Sequence, residues 1–150
     1  MAKEIEHKFL VQNYSFLNKA IEARYIKQGY LALNKNLEIR VSIRDNQFSK
    51  LCIKSANSGL IRDEYEYNIP YQDAVELYNK CETKLQKTRY IIPEENELFW
   101  EIDVIHGLDE ELIIAEIETP DGKELPNKFP NFIGECVTGN PKYYNKNLAH

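Results

Sequence analysis

The sequence has few of the residues that build disulfide frameworks or structural zinc sites. Three cysteines are spread over 150 residues, at Cys52, Cys81 and Cys136, and no two of them form a Cys-x-x-Cys pair. An odd, scattered set of thiols fits a reducing compartment better than a disulfide-stabilised domain. The three histidines are equally scattered, which argues against a structural zinc site. We therefore expect a cytoplasmic protein without disulfides.

Long apolar runs are also absent. No segment approaches the roughly 20 apolar residues that a membrane-spanning helix needs. Residues 1–11 alternate charged and apolar positions, where a secretory signal would have a continuous apolar stretch. No Gly/Ser-rich linker, low-complexity segment or repeat divides the chain, so we predict a single domain over residues 1–150. The net charge of −5 disfavours binding to nucleic acid or to an anionic lipid surface.

Most of the chain alternates apolar and charged residues with a period of two, a pattern typical of β-strands. The alternating runs are 4–9, 39–44, 50–54, 62–67, 87–91, 100–104 and 115–118. Turn residues separate them at 45–46, 55–59, 93–96 and 106–110, which favours an antiparallel meander. Helical spacing occurs at 15–23, at 71–86 after Pro70, and weakly at 128–135. The sequence predicts a mostly β (α+β) domain with a few covering helices.

Formal charges occupy most polar positions of these runs, and like charges recur two residues apart. The acidic pairs are Glu4/Glu6, Glu101/Asp103 and Glu116/Glu118, and the basic pairs are Arg40/Arg44, Lys50/Lys54 and Lys87/Arg89. Like charges on one face repel each other. A metal–polyphosphate complex would neutralise both the acidic and the basic pairs, because carboxylates bind Mg²⁺ or Mn²⁺ whereas Lys and Arg bind phosphate oxygens. The alternative is an ordinary solvated sheet face whose charges satisfy one another.

Closure of the strands into a barrel would place this charged face in a lumen and the apolar face against the helices. The sequence contains no Gly-x-x-x-x-Gly-Lys-Ser/Thr motif. Side chains rather than a backbone loop would therefore bind the phosphates.

The order of the charged residues resembles the CYTH superfamily, also called triphosphate tunnel metalloenzymes. Its signature Glu-x-Glu-x-Lys is present as Glu4, Glu6 and Lys8. The later elements follow in family order: Arg40, Lys54, Glu64 with Glu66, Lys87-Thr88-Arg89-Tyr90, Glu101 with Asp103, and Glu116 with Glu118. Residues 28–31 and 144–149 also resemble the short bacterial members, so the resemblance spans essentially the whole chain.

The resemblance implies a closed antiparallel tunnel of about eight strands that hydrolyses a triphosphate with a metal. The implied ligands of Mg²⁺ or Mn²⁺ are Glu4, Glu6, Glu116 and Glu118. The implied phosphate-binding residues are Lys8, Arg40, Lys54, Lys87 and Arg89. Of all these, Glu6, Lys87 and Arg89 are the predicted catalytic residues, with Glu6 orienting the attacking water. The implied supporting carboxylates around the metal are Glu64, Glu66, Glu101 and Asp103.

One position departs from the family pattern. Members usually have Arg-x-Arg on the second strand of this motif series, and Ser42 stands at the second Arg. Arg44 lies two residues further on the same face, roughly 6–7 Å along the strand. We predict that Arg44 supplies the missing cation in substrate binding. The alternative is that Arg44 belongs to the turn and that one phosphate contact is lost.

Several other residues carry weaker expectations. We expect His7 on the outer face without a catalytic role, and Cys52 in the tunnel without a nucleophilic one. The C-terminal Lys142 and Lys146 could close one mouth of the tunnel, but we expect a flexible basic tail. Members of the superfamily often dimerise, so a homodimer is compatible with the resemblance, although no interface is evident in the sequence.

The leading functional hypothesis is hydrolysis of tripolyphosphate to pyrophosphate and phosphate. A chain of this length leaves little material for recognising a nucleoside or a thiazolium. A class IV adenylate cyclase and a thiamine triphosphatase remain alternatives within the same superfamily. A non-catalytic barrel that binds polyphosphate is an alternative of another class, which the paired carboxylates disfavour because an anion binder gains nothing from acid beside its site.

Overall fold

The computed structural model describes residues 2–55, 61–120 and 123–150, and for residues 2–4, 61 and 62 it describes the backbone alone. The strands are β1 (Ala2–Val11), β2 (Glu22–Leu33), β3 (Leu37–Arg44), β4 (Phe48–Ser55), β5 (Ile61–Asn68), β6 (Lys84–Pro93), β7 (Phe99–Ile105), β8 (Leu112–Pro120) and β9 (Ile133–Cys136). The helices are α1 (Tyr71–Lys80) and the single turn α2 (Asn145–Leu148), with 3₁₀ turns at Ser15–Asn18 and Pro141–Tyr143. Within the described part of the chain, no helix is long and apolar enough to cross a membrane.

Eight of the strands form a ring of antiparallel pairs in the order β1-β5-β4-β3-β2-β6-β7-β8. β8 returns to β1 through a long ladder that includes Glu6 opposite Glu118. The seam between β1 and β5 is shorter, running from Ala2 opposite Glu64 to Ile5 opposite Ile61. The sheet is therefore a tunnel joined along one narrow seam. The prediction of an antiparallel tunnel of about eight strands is confirmed.

The apolar residues of the alternating runs face outwards, under the segments that cover the tunnel. Phe9, Trp100, Ile102 and Ile117 form one buried cluster together with Phe132 from the covering chain. Trp100, Ile102 and Ile117 are fully buried. Full burial of such side chains stabilises the fold by about 1.5–3 kcal/mol each. This packing turns the opposite, charged set of side chains towards the lumen.

Helix α1 covers the outer face of β2 and β3. Its Ala74 and Tyr78 pack against Val41 and Ile43. Gly29 of β2 permits the contact, because a Cβ at this position would lie 2.6 Å from the Cys81 Sγ. The helix ends at Lys80, earlier than the predicted 86, because residues 84–86 pair with β2 as the start of β6.

The other two predicted helices are wrong. Residues 15–23 form only a 3₁₀ turn, and β2 begins at Glu22 because it pairs with β6 from its first residue. The segment predicted as a weak helix, 128–135, instead leads into strand β9 (Ile133–Cys136), which pairs with β1. The predicted turns at 45–46 and 106–110 are confirmed. Asp45 and Asn46 both have φ 53° and Gly107 has φ 82°, values that these residue types adopt readily. The predicted turn at 55–59 lies outside the described residues from residue 56 onwards.

Candidate active site

The lumen contains a cavity of ≈ 270 Å³ lined almost entirely by charged and polar side chains. Two groups of residues dominate it, and each belongs to adjacent strands. We call the first the acidic wall: Glu6, Glu101, Glu116 and Glu118, on β1, β7 and β8. We call the second the paired wall: Glu38, Arg40, Lys54 and Glu64, on β3, β4 and β5. All eight side chains line the cavity.

The acidic wall places carboxylates directly opposite one another. Glu6 of β1 is the register partner of Glu118 on β8, and Glu101 of β7 is the register partner of Glu116 on β8. Directly opposite side chains on a sheet have Cβ atoms about 4.5–5.5 Å apart, and like charges at that distance destabilise the sheet. Two such pairs on adjoining strands concentrate negative charge in one part of the tunnel.

Lys8 is the cation of β1 within this wall. Its Nζ lies 3.5 Å from a Glu116 oxygen and 4.0 Å from a Glu6 oxygen, and it donates a hydrogen bond of 3.0 Å to the Tyr143 carbonyl. Arg89 of β6 provides a second cation, with Nη1 2.5 Å from Glu101. Lys8 and Arg89 therefore lie beside these carboxylates, and the buried Lys87 also acts on Glu116.

Behind Arg89 lies a buried ion-pair group. Arg89 binds Asp103 in bidentate fashion, with Nε–Oδ1 and Nη2–Oδ2 distances of 2.7 and 2.8 Å. The Lys87 Nζ lies 2.7 Å from the same Asp103 Oδ2, and both residues are fully buried. Burial, reinforced by Arg89, lowers the pKa of Lys87 even though Asp103 opposes the shift. Lys87 is thus not among the described residues that line the cavity, whereas Arg89 is.

The paired wall has opposite charges in register. Lys54 lies between Glu38 on β3 and Glu64 on β5, and its Nζ is 3.6 Å from the Glu64 carboxylate. Arg40 Nη1 is 3.9 Å from the Glu38 carboxylate. Glu38 and Lys54 are both buried. The cations of this wall therefore already have anionic neighbours, which a phosphate chain would have to replace.

The surrounding charges fix the ionisation of the site. Burial alone would raise the pKa of Glu116, but Lys8, Lys87 and Arg89 outweigh it and hold the pKa well below its usual range. Burial alone would lower the pKa of Arg40, but its neighbours Tyr30 and Cys52, followed by Glu38 and Glu64, raise it. Both groups are therefore charged at neutral pH, as metal and phosphate binding require.

Cys52 lies on the inner face beside the paired wall. Its Sγ donates a hydrogen bond of 3.4 Å to Glu64, and burial raises the pKa of the thiol to about 11. Ligand atoms of Cys52, Glu64 and Glu66 lie within 4.8 Å of one another, an acidic group that could hold a metal ion. Because the thiol is protonated and Glu66 pairs with Lys50 at 3.0 Å, this group suits a hard cation less well than the acidic wall does.

The structure places the remaining predicted residues away from the cavity or at its edge. Arg44, the last residue of β3, stacks on the Phe48 ring at 4.4 Å and lies 3.9 Å from Asp45 of the following turn, and it is not among the described residues that line the cavity. Glu66 lines the cavity in a half-exposed pair with Lys50. The Glu4 backbone pairs with Pro120, and its side chain lies outside the described ones.

Sequence reasoning missed several residues of the cavity lining. Glu38 lies two residues before Arg40 on the same face of β3, and this spacing could have identified it from the sequence. Arg24 lies on β2, where alternation is obscured by apolar and small residues. Residues Thr138, Gly139, Tyr144 and Asn145 also line the cavity, from the C-terminal segment.

The C-terminal segment packs against the tunnel, and the expectation of a free basic tail is wrong. The Tyr144 ring lies 5.7 Å from the Lys8 Nζ and 5.7 Å from the Lys146 Nζ. The backbone of His150 pairs with that of Lys84, with N···O distances of 2.8 and 3.2 Å. Cation–π contacts of Tyr144 and the backbone pairing of His150 therefore hold this segment over one end of the lumen.

Comparison with known proteins gives one curated relative and several solved structures. The chain matches no protein-family model. It is 39% identical over 151 residues to an inorganic triphosphatase of Acetivibrio thermocellus, an alignment that covers 99% of this chain and 94% of that protein. Its fold is similar to the crystal structure of an inorganic triphosphatase, with a TM-score of 0.68 and 29% identity over 99% of this chain and 95% of that one.

A more distant structure has the same fold. It is a putative adenylyl cyclase from Hippeastrum, described as having a dominant triphosphatase activity. Its TM-score is 0.61 at 15% identity, over 79% of this chain and 80% of that chain.

Proposed function

This chain belongs to the CYTH superfamily of triphosphate tunnel metalloenzymes, and we propose that it hydrolyses tripolyphosphate to pyrophosphate and phosphate with Mg²⁺ or Mn²⁺. The observation that carries the proposal is the meeting of the acidic wall and the phosphate-binding cations around one cavity of ≈ 270 Å³. Ligand pockets commonly measure roughly 300–1,000 Å³. A cavity slightly below that range suits a bare phosphate chain better than a nucleotide. The three free cysteines fit the cytoplasm as its compartment.

The acidic wall fits a divalent cation. Glu6 opposite Glu118 supplies hard carboxylate oxygens in pairs, which is the donor chemistry that Mg²⁺ and Mn²⁺ prefer. A cation between the two carboxylates would also remove their mutual repulsion. We assign the metal to Glu6, Glu116 and Glu118, with Glu4 as a further ligand by family resemblance. A divalent cation held there would neutralise charge on the phosphate oxygens.

The phosphate chain would lie against the cations that face the cavity. We assign it to Lys8, Arg40, Lys54 and Arg89, all of which line the cavity. Arginine guanidinium groups can bind phosphate oxygens in bidentate fashion, and lysine ammonium groups bind them as point charges. Lys87 would act through Asp103 by keeping Arg89 in place, since its ammonium group is buried behind that pair.

Hydrolysis requires one water molecule at the terminal phosphorus. The water oxygen forms a bond to that phosphorus, the bridging P–O bond breaks, and pyrophosphate leaves with the bond's electron pair. Glu6 would orient the water and accept its proton, because its carboxylate faces the cavity. Lys8 and Arg89 would stabilise the negative charge that develops on the oxygens in transit.

The test is the release of phosphate from tripolyphosphate by the purified full chain, with Mg²⁺, with Mn²⁺ and with chelator. We expect metal-dependent release of pyrophosphate and phosphate from tripolyphosphate, and slower release from ATP and thiamine triphosphate. Cyclic AMP formed from ATP without phosphate release would identify a cyclase instead. Binding of tripolyphosphate with no product under any metal would identify a binding protein.

A further inference from the structure

Arg24 of β2 lines the cavity, although the charged motifs of the sequence do not include it. We infer that Arg24 binds the phosphate group nearest the open mouth of the tunnel and thereby favours inorganic triphosphate over triphosphate esters. This inference rests on the proposed function and adds a specificity-determining residue to it.

The register of β2 with β6 places two guanidinium groups side by side. Arg24 is the direct register partner of Arg89, and both side chains face the cavity. Like charges directly opposite each other on a sheet repel unless an anion compensates them. Asp103 and Glu101 bind Arg89 from the β7 side, and Glu101 also acts on Arg24, so a phosphate at the two guanidinium groups would take the place of Glu101 as their shared anion.

The partner of Arg24 leaves it available to such a ligand. Glu22 accepts two hydrogen bonds, from Nε at 2.9 Å and from Nη2 at 3.0 Å. The side chains of Arg24 and Glu22 are 30% and 45% exposed. Exposed ion pairs contribute little to stability. A phosphate can therefore draw Arg24 away from Glu22 at small cost, unlike the buried cations of the paired wall.

Arg24 lies towards the open end of the tunnel. The C-terminal segment covers the other end, where His150 pairs with Lys84, the first residue of β6. Arg24 meets the same strand further along, at Arg89. On the same side of the sheet, the first half of β4 and the last half of β5 contribute Lys50 and Glu66 to the cavity lining, with side chains about half exposed. A triphosphate therefore enters from the Arg24 end, and its last phosphate group stays beside Arg24.

This position distinguishes inorganic triphosphate from its esters. A triphosphate ester must enter with its free phosphate end first, so the phosphate beside Arg24 is the esterified one. In tripolyphosphate the corresponding phosphate is a terminal group with one more ionisable oxygen. The charge-assisted hydrogen bonds from Arg24 are therefore stronger with the inorganic chain.

The experiment compares Arg24→Gln with the wild type on tripolyphosphate and on ATP. Loss of a hydrogen bond to a charged group predicts a KM for tripolyphosphate that is raised about tenfold, with kcat changed less than about twofold. The KM for ATP should rise less than about threefold, so the preference for the inorganic substrate falls. Lys27→Gln is the matched control, since Lys27 lies on the outer face of the same strand beside the Tyr25 ring.

The double variant Glu22→Gln/Arg24→Gln separates loss of the cation from exposure of the Glu22 carboxylate. We expect it to keep the raised KM; a return to the wild-type value would overturn the inference. Metal-free binding of tripolyphosphate, measured by calorimetry, provides a second readout. If the wild type hydrolyses no triphosphate, the proposed function fails, and weaker binding by Arg24→Gln still supports the role of Arg24. Equal binding and equal KM in wild type and variant overturn it with the proposed function intact.

Discussion

In the acidic wall carboxylates face carboxylates across neighbouring strands, whereas in the paired wall Lys54 lies in register between two glutamates. Both walls are built from the same alternation of charged and apolar residues. They differ in register: Glu6 faces Glu118 and Glu101 faces Glu116 in the acidic wall, where, among the described register pairs, only Glu116 also has a cation, Lys8, directly opposite it. In the paired wall Lys54 faces a glutamate on each side. The acidic wall therefore has four carboxylates and, among the described residues, only Lys8 and Arg89 as cations lining the cavity beside them, whereas the paired wall has two carboxylates and two cations.

From this difference we propose separate tasks for the two walls. Because opposing carboxylates repel each other, a bound cation would stabilise them, and we propose that the acidic wall binds the metal. A wall of unlike pairs gives up an internal partner for every phosphate oxygen that it binds. Only a ligand with several charges can replace several such partners at once, which favours a triphosphate over a single phosphate group.

The largest effect on activity is expected when two carboxylates of the acidic wall are neutralised. The double variant Glu6→Gln/Glu118→Gln keeps the shape of the opposing pair and removes its charge. We expect the rate of phosphate release from tripolyphosphate to fall by roughly 100- to 1,000-fold, which is the usual loss when a group that stabilises charge in an active site is removed. Glu76→Gln, an exposed change on α1, is the control. Turnover within about twofold of the wild type would show that the metal assignment is wrong.

The next largest effect, on the free energy of unfolding, is expected in the buried ion-pair group of Lys87, Arg89 and Asp103. Asp103→Asn removes the anion that neutralises Lys87, and both positions are fully buried. Breaking a buried pair from one side costs about 3–5 kcal/mol, because the other charge is left without compensation. Urea denaturation should show a fall in the free energy of unfolding of about 3 kcal/mol. An unchanged unfolding midpoint would contradict the role of this pair in holding Arg89.

A smaller effect probes the paired wall. Lys54→Gln removes one of the cations that we propose bind phosphate, and it leaves the acidic wall intact. We expect the KM for tripolyphosphate to rise by about tenfold and kcat to change less, as for one charged hydrogen bond. Steady-state kinetics on the variant and on Lys54→Arg would measure this. A loss confined to kcat would place Lys54 in the chemical step instead of in substrate binding.

The smallest effect comes from the edge of the paired wall. Glu66→Gln breaks the pair with Lys50, whose side chains are about half exposed. Such pairs contribute about 0–1 kcal/mol, so the free energy of unfolding should change by less than about 1 kcal/mol. A larger loss in urea denaturation would mean that the mouth contributes to the fold as strongly as the buried wall does.

The sequence predicts the inward-facing charges well because the strand period fixes which residues share a face. Glu6, Glu101, Glu116 and Glu118 all line the cavity, as this period implies. The period does not give the depth of a side chain in the tunnel. Lys87 shares the inward face with Arg89, yet it is buried behind Asp103 because it lies one pleat closer to the covered end.

Long-range packing accounts for the features that the sequence does not reveal. Residues 133–136 pair with β1 across more than a hundred positions, which outweighs their weak helical pattern. Arg24 enters the site because β2 pairs with β6, a register that local alternation cannot specify. Ser42 remains at the expected strand position, while Arg44 turns to the Phe48 ring at the strand end.

The most direct test of the two-wall account is the binding of Mn²⁺, measured by calorimetry on the full chain. The account predicts that the wild type and Lys54→Gln bind Mn²⁺ with similar affinity, because the paired wall does not ligate the metal. It predicts that Glu6→Gln/Glu118→Gln loses this binding while remaining folded. Equal Mn²⁺ affinity in all three proteins, or loss of binding in Lys54→Gln alone, would contradict it.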